Sequence, residues 1–285
     1  MFSVRADRAA TLYIFDALAR FQPRKKRIPI LMYHGIREAD ISRQHPYFQT
    51  STTAGIFEEQ VRFLHGNGYR SVNVTDLRET EPAERLVSFT FDDGYRDFYT
   101  NAFPILNKYG FSATVFLPTA YIGENPGHFN GSRCLTWSEV RELHKAGIEF
   151  GSHTVTHPQL RCVSNEQMRV ELARSRDDIQ ENLGDSVYAF AYPYAFPETD
   201  PTFVDCVGRA LRENGYKTGV TTVIGRATPS QNPFFMRRLP VNSHDDLRLF
   251  RSKVEGGYDW LRTVQYLSKL KAARRSTHRH PGAVK

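Results

Sequence analysis

Two short stretches of this chain carry the residue types that hydrolytic chemistry needs. Thr90-Phe91-Asp92-Asp93-Gly94 closes the apolar run Leu86-Val87-Ser88-Phe89, and His153-Thr154-Val155-Thr156-His157 follows further along. One carboxylate and two imidazoles can hold a divalent cation and leave positions open for water. A second carboxylate beside them is then free to take a proton from that water. Alone, each stretch has a plain reading. Asp-Asp-Gly after a strand is commonly a turn, and two His at this spacing are commonly surface or core residues. The thermolysin-like pattern is excluded, because Thr154 stands where a Glu would directly follow the first His.

In this order, and with a strand leading into each, the two stretches resemble the polysaccharide deacetylases of carbohydrate esterase family four, the NodB-homology domain. Thr90 to Gly94 matches that family's first motif and His153 to His157 its second, H-[ST]-x-x-H. Phe190-Ala191-Tyr192-Pro193-Tyr194 resembles the third, and the likeness extends from Ile28 to Val241. The resemblance implies Asp92 as catalytic base and Asp93, His153 and His157 as metal ligands, with the Tyr194 backbone N–H on the oxyanion. It implies a divalent metal, Zn2+ first, with Co2+, Ni2+ or Mn2+ as substitutes, since imidazole and carboxylate do not choose sharply among them. It also implies the substrate: an N-acetyl group on an amino sugar of an oligo- or polysaccharide, as in exopolysaccharide biosynthesis. Two other classes stay open, a metal-dependent amidase acting on a non-sugar amide and a carbohydrate-binding protein with a weak site.

The chain departs from the family pattern in three places. The usual late L-x-H motif, which supplies the general acid, has no match. His34, in Leu31-Met32-Tyr33-His34-Gly35, ends an earlier strand instead. That resembles permuted members, among them the poly-N-acetylglucosamine deacetylases, in which the acid His precedes the Asp pair. A structural role for His34 and an acid role for His244 are the alternatives. Ala191 stands where the third motif ordinarily has an Arg that pairs with the catalytic Asp. Arg238, within Arg237-Arg238-Leu239-Pro240-Val241, is the candidate to reach that place, a surface Arg being the plain reading. Asp259-Trp260, the nearest approach to the fourth motif, comes late and within a helix-like segment.

The elements that must position these residues alternate. Strand-like runs at 28–34, 86–91, 113–117, 148–150, 187–191 and 216–223 are separated by amphipathic stretches with helix punctuation. Thr136 with Glu139 has the form of a capping box, and Ser164 with Gln167 opens the next helix. Such alternation predicts an α/β fold with a parallel sheet and crossover helices. The candidate residues all follow the carboxyl ends of strands, where α/β barrels place their chemistry. The resemblance adds a distorted barrel of about seven strands in a single domain. The loop from Tyr121 to Cys134 is long enough to form part of a substrate groove.

At 285 residues the chain can bury one large core. No run of about 18 apolar residues is present to span a membrane. The start lacks a continuous apolar core and a small-residue cleavage site, so it does not read as a secretory signal. Three cysteines, Cys134, Cys162 and Cys206, are an odd number without metal-type spacing and read as free thiols. Cytoplasm is the expected compartment. The net charge of +7 gathers at the ends, in Arg24-Lys25-Lys26-Arg27 and in Lys269, Lys271, Arg274, Arg275 and Arg279. The expected organisation is a basic helical extension over 1–27, the deacetylase domain over 28–270 and a disordered basic tail over 271–285. Leu12, Phe15, Leu18 and Ala19 recur at helical spacing, so the extension either covers the barrel or makes peripheral contact with an anionic membrane surface. Basic and aromatic residues do not interleave in a recognisable module, which argues against nucleic acid as a partner.

Overall fold

In the computed structural model, residues 5–21, 27–39, 49–80, 85–125, 127–228 and 230–277 are described. Seven parallel strands form the frame: β1 (Ile30–Tyr33), β2 (Leu86–Phe91), β3 (Thr114–Leu117), β4 (Glu149–Ser152), β5 (Ala189–Ala191), β6 (Thr218–Ile224) and β7 (Met236–Pro240). Their order is β1-β7-β6-β5-β4-β3-β2, and a further pairing of β1 with β2 closes the ring. A short strand, Arg70–Ser71, adds to β2 outside the ring. This is the expected α/β barrel. Strand β2 is buried at all six positions, as a strand covered on both faces should be.

The helices wrap the barrel between strands: α1 (Ala54–Gly66), α2 (Phe103–Lys108), α3 (Trp137–Lys145), α4 (Asn165–Leu183), α5 (Pro201–Glu213), α6 (Leu247–Glu255) and α7 (Leu261–Thr277). The capping box forms as expected at α3: Glu139 N–H donates to Thr136 Oγ1 at 3.2 Å and Thr136 N–H to Glu139 Oε2 at 3.0 Å. Ser164 caps α4 by accepting from Gln167 N–H at 3.1 Å. Asp259 and Trp260, expected within a helix, lie instead in the turn between α6 and α7. Gly256 and Gly257 precede them, and Gly256 takes the left-handed conformation that ends α6.

Two-residue periodicity decides what enters the barrel. Leu31, Tyr33, Val87, Phe89, Phe91 and Leu239 face outward into one core layer under the helices. Ile30, Leu86, Phe116, Ala189, Ala191, Val220 and Met236 form a second core within the ring. Continuing the inward set along each strand brings His34 after Ile30 and Met32, Asp92 after Ser88 and Thr90, and Arg238 after Met236. Gly151 in β4 makes room for this interior. A Cβ there would lie 2.6 Å from Phe116 Cε1 and 2.8 Å from the Ala189 carbonyl oxygen. Any larger residue would push β4, and the His153 that follows, out of place.

The N-terminal helical segment, Ala6–Phe21 with a π turn at Thr11–Phe15, packs on the protein. Arg5 bonds Asp7 and Asp245, Asp7 accepts from the Tyr258 hydroxyl at 2.7 Å, and Lys253 pairs with Asp245 at 2.6 Å. Phe15 stacks on Trp260 with ring centroids 4.5 Å apart. Of the two readings for this segment, these contacts form the first, a cover on the barrel; Tyr13, Ile14 and Leu18 are exposed. Helix α7 runs on to Thr277, past the point where a disordered tail was expected to begin. Arg24, Lys25 and Lys26, and residues 278–285 with Arg279, lie outside the described residues. Cys134, Cys162 and Cys206 are free thiols. Among the described residues, no helix is long and apolar enough to cross a membrane.

Candidate active site

Asp93, His153 and His157 meet at the carboxyl end of the barrel, all three buried. Nε2 of His153 and Nε2 of His157 stand 3.6 and 3.5 Å from Asp93 Oδ1, and the three donor atoms lie within 4.8 Å of one another. These spacings form no direct hydrogen bond, but they suit three donors pointed at one cation. The state of the donors fits too. His153 Nδ1 lies 2.8 Å from the Ala191 carbonyl oxygen; a carbonyl only accepts, so Nδ1 carries the proton and Nε2 keeps its lone pair. Burial holds His153 below the usual imidazole range. Burial, with His153 alongside, lowers His157 to about 4. Both rings are neutral near pH 7, the form that binds metal.

The backbone that carries these groups is bent. Asp93, Thr154, His157 and Tyr194 have φ of 71°, 69°, 58° and 59°. Left-handed backbone costs a non-glycine residue about 1–2 kcal/mol, so surrounding contacts must hold it. Gly94 continues the turn at φ 59°, where a Cβ would lie 2.9 Å from Leu117 Cδ2.

Asp92 belongs to a different set of contacts. Its Oδ1 and Oδ2 accept from Arg238 Nη1 at 2.6 Å and Nη2 at 2.8 Å. Arg238 is fully buried and also donates from Nε to the Thr221 carbonyl at 3.0 Å and from Nη1 to Thr90 Oγ1 at 3.2 Å. Burial alone would raise the Asp92 carboxyl, yet the Arg238 charge and hydrogen bonds hold it well below the usual carboxylate range. Arg238 thus occupies the interior beside Asp92, not the surface. The small Ala191 faces the same interior from β5, which leaves space for a guanidinium arriving from β7.

His34 Nε2 lies 3.9 Å from Asp92 Oδ2, half-buried at the cleft. Tyr194 is half exposed, its ring centroid 4.7 Å from that of His157. The Tyr194 N–H has no hydrogen-bond partner among the described residues, and its carbonyl accepts from Thr222 Oγ1 at 3.2 Å. His244 is not brought to this place. It is exposed in a separate open cleft with Glu59 and Arg248, and Asp246 caps α6. Asp97 lies beneath Gly35. Burial pushes its carboxyl up to about 6 against a bond from the Ile36 backbone and the nearby Arg37, and its Oδ1 lacks a partner among the described residues.

Around these groups runs a cleft of about 790 Å³ that takes in His34, Asp92, Asp93, His153, His157 and Tyr194. Its wall also includes Arg37, Tyr95, Asn130 and Thr222, which sequence reasoning did not single out. Tyr95 directly follows the Asp-Asp-Gly turn, so its position was open to notice. Asn130 comes from the loop expected to contribute to a groove. Arg37 and Thr222 carried no signal beyond their residue type.

A barrel of seven parallel strands, with two His and an Asp converging at one end, defines a class of α/β hydrolase. The polysaccharide deacetylase model matches residues 79–219. YxkH of Bacillus subtilis (strain 168), a protein named for the same family, is 30% identical over 221 residues, covering 76% of this chain and 72% of its own. The chain belongs to the polysaccharide deacetylase family, whose members are hydrolases of the carbohydrate esterase four type, metal-dependent in general. A Staphylococcus aureus (strain MRSA252) poly-beta-1,6-N-acetyl-D-glucosamine N-deacetylase is 25% identical over 235 residues, covering 74% of this chain and 78% of its own. The Streptococcus pyogenes deacetylase PplD, solved in complex with acetate, superposes with TM-score 0.69 at 26% identity, covering 80% of this chain and 98% of the other.

Proposed function

We propose that this protein is a metal-dependent N-deacetylase that removes acetyl groups from N-acetylglucosamine-type residues of an oligo- or polysaccharide. The observation that carries this reading is the pairing of two differently wired carboxylates in one cleft. Asp93 faces two neutral imidazoles, while Asp92 is locked ionised by Arg238. A site of this kind needs one carboxylate as ligand and one as base. The Staphylococcus aureus relative's name supports the choice of sugar.

Asp93, His153 and His157 would hold the ion, and the nitrogen-rich donor set suits zinc, with cobalt, nickel or manganese as substitutes. When bound, a divalent ion polarises the acetamide carbonyl and makes its water more acidic. Asp92 takes the proton of the attacking water, and Arg238 both aims its carboxylate and keeps it charged. The Tyr194 N–H donates to the oxygen on which negative charge develops. His34 delivers a proton to the departing nitrogen, since an amine leaves poorly without one. The His34 imidazole stands 3.9 Å from Asp92 Oδ2, so a proton taken up by Asp92 has a short path towards the leaving group.

The test is acetate release from N-acetylated oligosaccharides, after stripping the protein with chelator and adding back one metal at a time. Acetate from an N-acetylglucosamine oligomer, lost on chelation and restored by zinc, is the expected result. Metal-loaded protein that deacetylates only non-sugar acetamides, or nothing, would overturn the substrate assignment.

A further inference from the structure

The two histidines sit on a segment that its own sequence does not favour. Thr154 and His157 both adopt left-handed backbone, and a β-branched residue does so rarely. Part of the bend is held internally. Thr154 Oγ1 accepts from His157 N–H at 3.0 Å and also bonds the His153 carbonyl, and Thr154 N–H donates to Ser152 Oγ at 3.1 Å. The 3-10 turn that follows β3 (Thr119–Tyr121) adds two bonds, Thr119 N–H to the Thr154 carbonyl at 3.1 Å and Ala120 N–H to the Val155 carbonyl at 3.0 Å. That leaves the N–H groups of Val155 and Thr156 pointing away from the cleft, into the protein.

Both are taken by one side chain. Glu171, on α4, is 2% exposed. Its Oε2 accepts from Val155 N–H at 2.8 Å and Thr156 N–H at 2.9 Å, and its Oε1 from the Thr156 hydroxyl at 2.7 Å and Gln167 Nε2 at 3.4 Å. A buried carboxylate is costly unless its oxygens are fully bonded, and these are. The helix beneath is rigidly set on the same strand: Ser175 Oγ, one turn on, lies 2.6 Å from Ser152 Oγ, the residue just before His153. Glu171 therefore ties the middle of the His-to-His segment to a fixed point.

We infer that Glu171 is a positioning residue for the metal centre: its carboxylate clamps the backbone between His153 and His157 so that both imidazoles reach the same ion. It touches no donor atom and acts only through the bend. The inference rests on the metal site proposed above. Without the clamp, the segment is free to leave its left-handed conformation, and the His157 ring turns away from Asp93.

The experiment compares Glu171→Ala, Glu171→Gln and the wild type by zinc titration and by amide hydrogen exchange of the metal-free proteins. Glu171→Ala is expected to bind zinc about 10- to 100-fold more weakly, the usual cost of losing an orienting group behind a ligand. Its Val155 and Thr156 amides should exchange at least about tenfold faster, with those of Ala189–Ala191 unchanged. Glu171→Gln keeps an oxygen for the two N–H groups, and its amide can donate to the Thr156 hydroxyl, so it should restore most of the affinity. Equal losses in both variants would make Glu171 a source of negative charge, not a clamp, and overturn the inference. So would wild-type zinc affinity in Glu171→Ala, even with a lowered Tm, because ordinary helix packing predicts that outcome. If Glu171→Ala does not fold, Thr156→Val at an exposed position removes one of the bonds; it should weaken zinc binding to a smaller degree, and no change overturns the inference. A wild type that binds no zinc refutes the proposed metal site, while the exchange of Val155 and Thr156 still decides whether the clamp exists.

Discussion

Replacing Arg238 with Met would remove the buried counter-charge of Asp92 and leave a side chain of similar length in its place. Three of the four bonds from the guanidinium disappear at Asp92 and Thr90, and the fourth at the Thr221 carbonyl. What remains is a carboxylate 3% exposed with no cation bonded to it. Breaking a buried pair in this way costs about 3–5 kcal/mol. The cost falls on the ionised form, so the carboxyl avoids it by taking up a proton. Burial, the largest influence on Asp92, then pushes its pKa above the ordinary carboxylate value instead of being overcome. Each unit of that rise corresponds to about 1.4 kcal/mol, so the stability cost translates into a rise of at least about two units. The assay is the pH dependence of kcat/KM for acetate release, beside urea unfolding at pH 7. In the wild type the Asp92 ionisation lies too low to limit the rate in the neutral range. In Arg238→Met the acid limb should move up into the measurable range, and Arg238→Lys should fall between, since one ammonium replaces two parallel bonds. A variant with the wild-type pH profile and less than about 1 kcal/mol of lost stability would refute the role given to this pair.

Asp92→Asn should keep its metal and lose turnover by about a hundredfold or more, whereas Asp93→Asn and His153→Ala should lose metal first, read by metal analysis after dialysis; loss of metal from Asp92→Asn as well would merge the two roles. His34→Ala should slow acetamide hydrolysis and spare activated acetate esters, whose leaving groups need no proton; normal amide cleavage by His34→Ala together with failure of His244→Ala would move the acid to His244. Asp97 supplies a test of stability against pH. Its carboxyl is raised from 3.8 to about 6, so between those values the native state holds a proton that the unfolded chain has released, and stability falls as pH rises through that window. Asp97→Asn should remove this slope and gain about 1–2 kcal/mol above pH 6 in urea unfolding, out of a ceiling near 3 set by the shift; an unchanged slope would show that the group is solvated.

The parts of the fold that local chemistry dictates were legible. Strand β2 announced itself as an apolar run ending in Asp-Asp-Gly, and the Thr136 and Ser164 caps fell where side-chain oxygens can serve free N–H groups. Asp93, His153 and His157 could be named because the two stretches together resemble a family's paired motifs, which imply their roles; either stretch alone reads as a turn or as ordinary histidines. Arg238 could only be offered as a candidate, since it lies 146 residues from Asp92, and one-in-two alternation along β7 leaves the choice between inside and outside to packing. Glu171 gave no sign at all. Within α4 it looks like any solvated helix carboxylate, and only the docking of that helix against the His segment turns it inward. Asp259 and Trp260 differ from expectation for a related reason: helical propensity is strong on both sides, and only the Gly256-Gly257 pair breaks it. The Thr11–Phe15 π turn is present, but the sequence offers no physical account of it.

The closure of the ring by β1 has a consequence for how the protein comes to be active. The three candidate donors follow β2 and β4, the second and fourth strands of the ring, whereas the partner that tunes Asp92 arrives on β7, the last. Strand β1 stands between them, paired to β2 on one side and β7 on the other. Only docking of β7 delivers the guanidinium that sets the neighbouring carboxylate's charge. On the proposed roles, a barrel left open at β7 would keep its candidate ligand set and lack the charge that fixes Asp92.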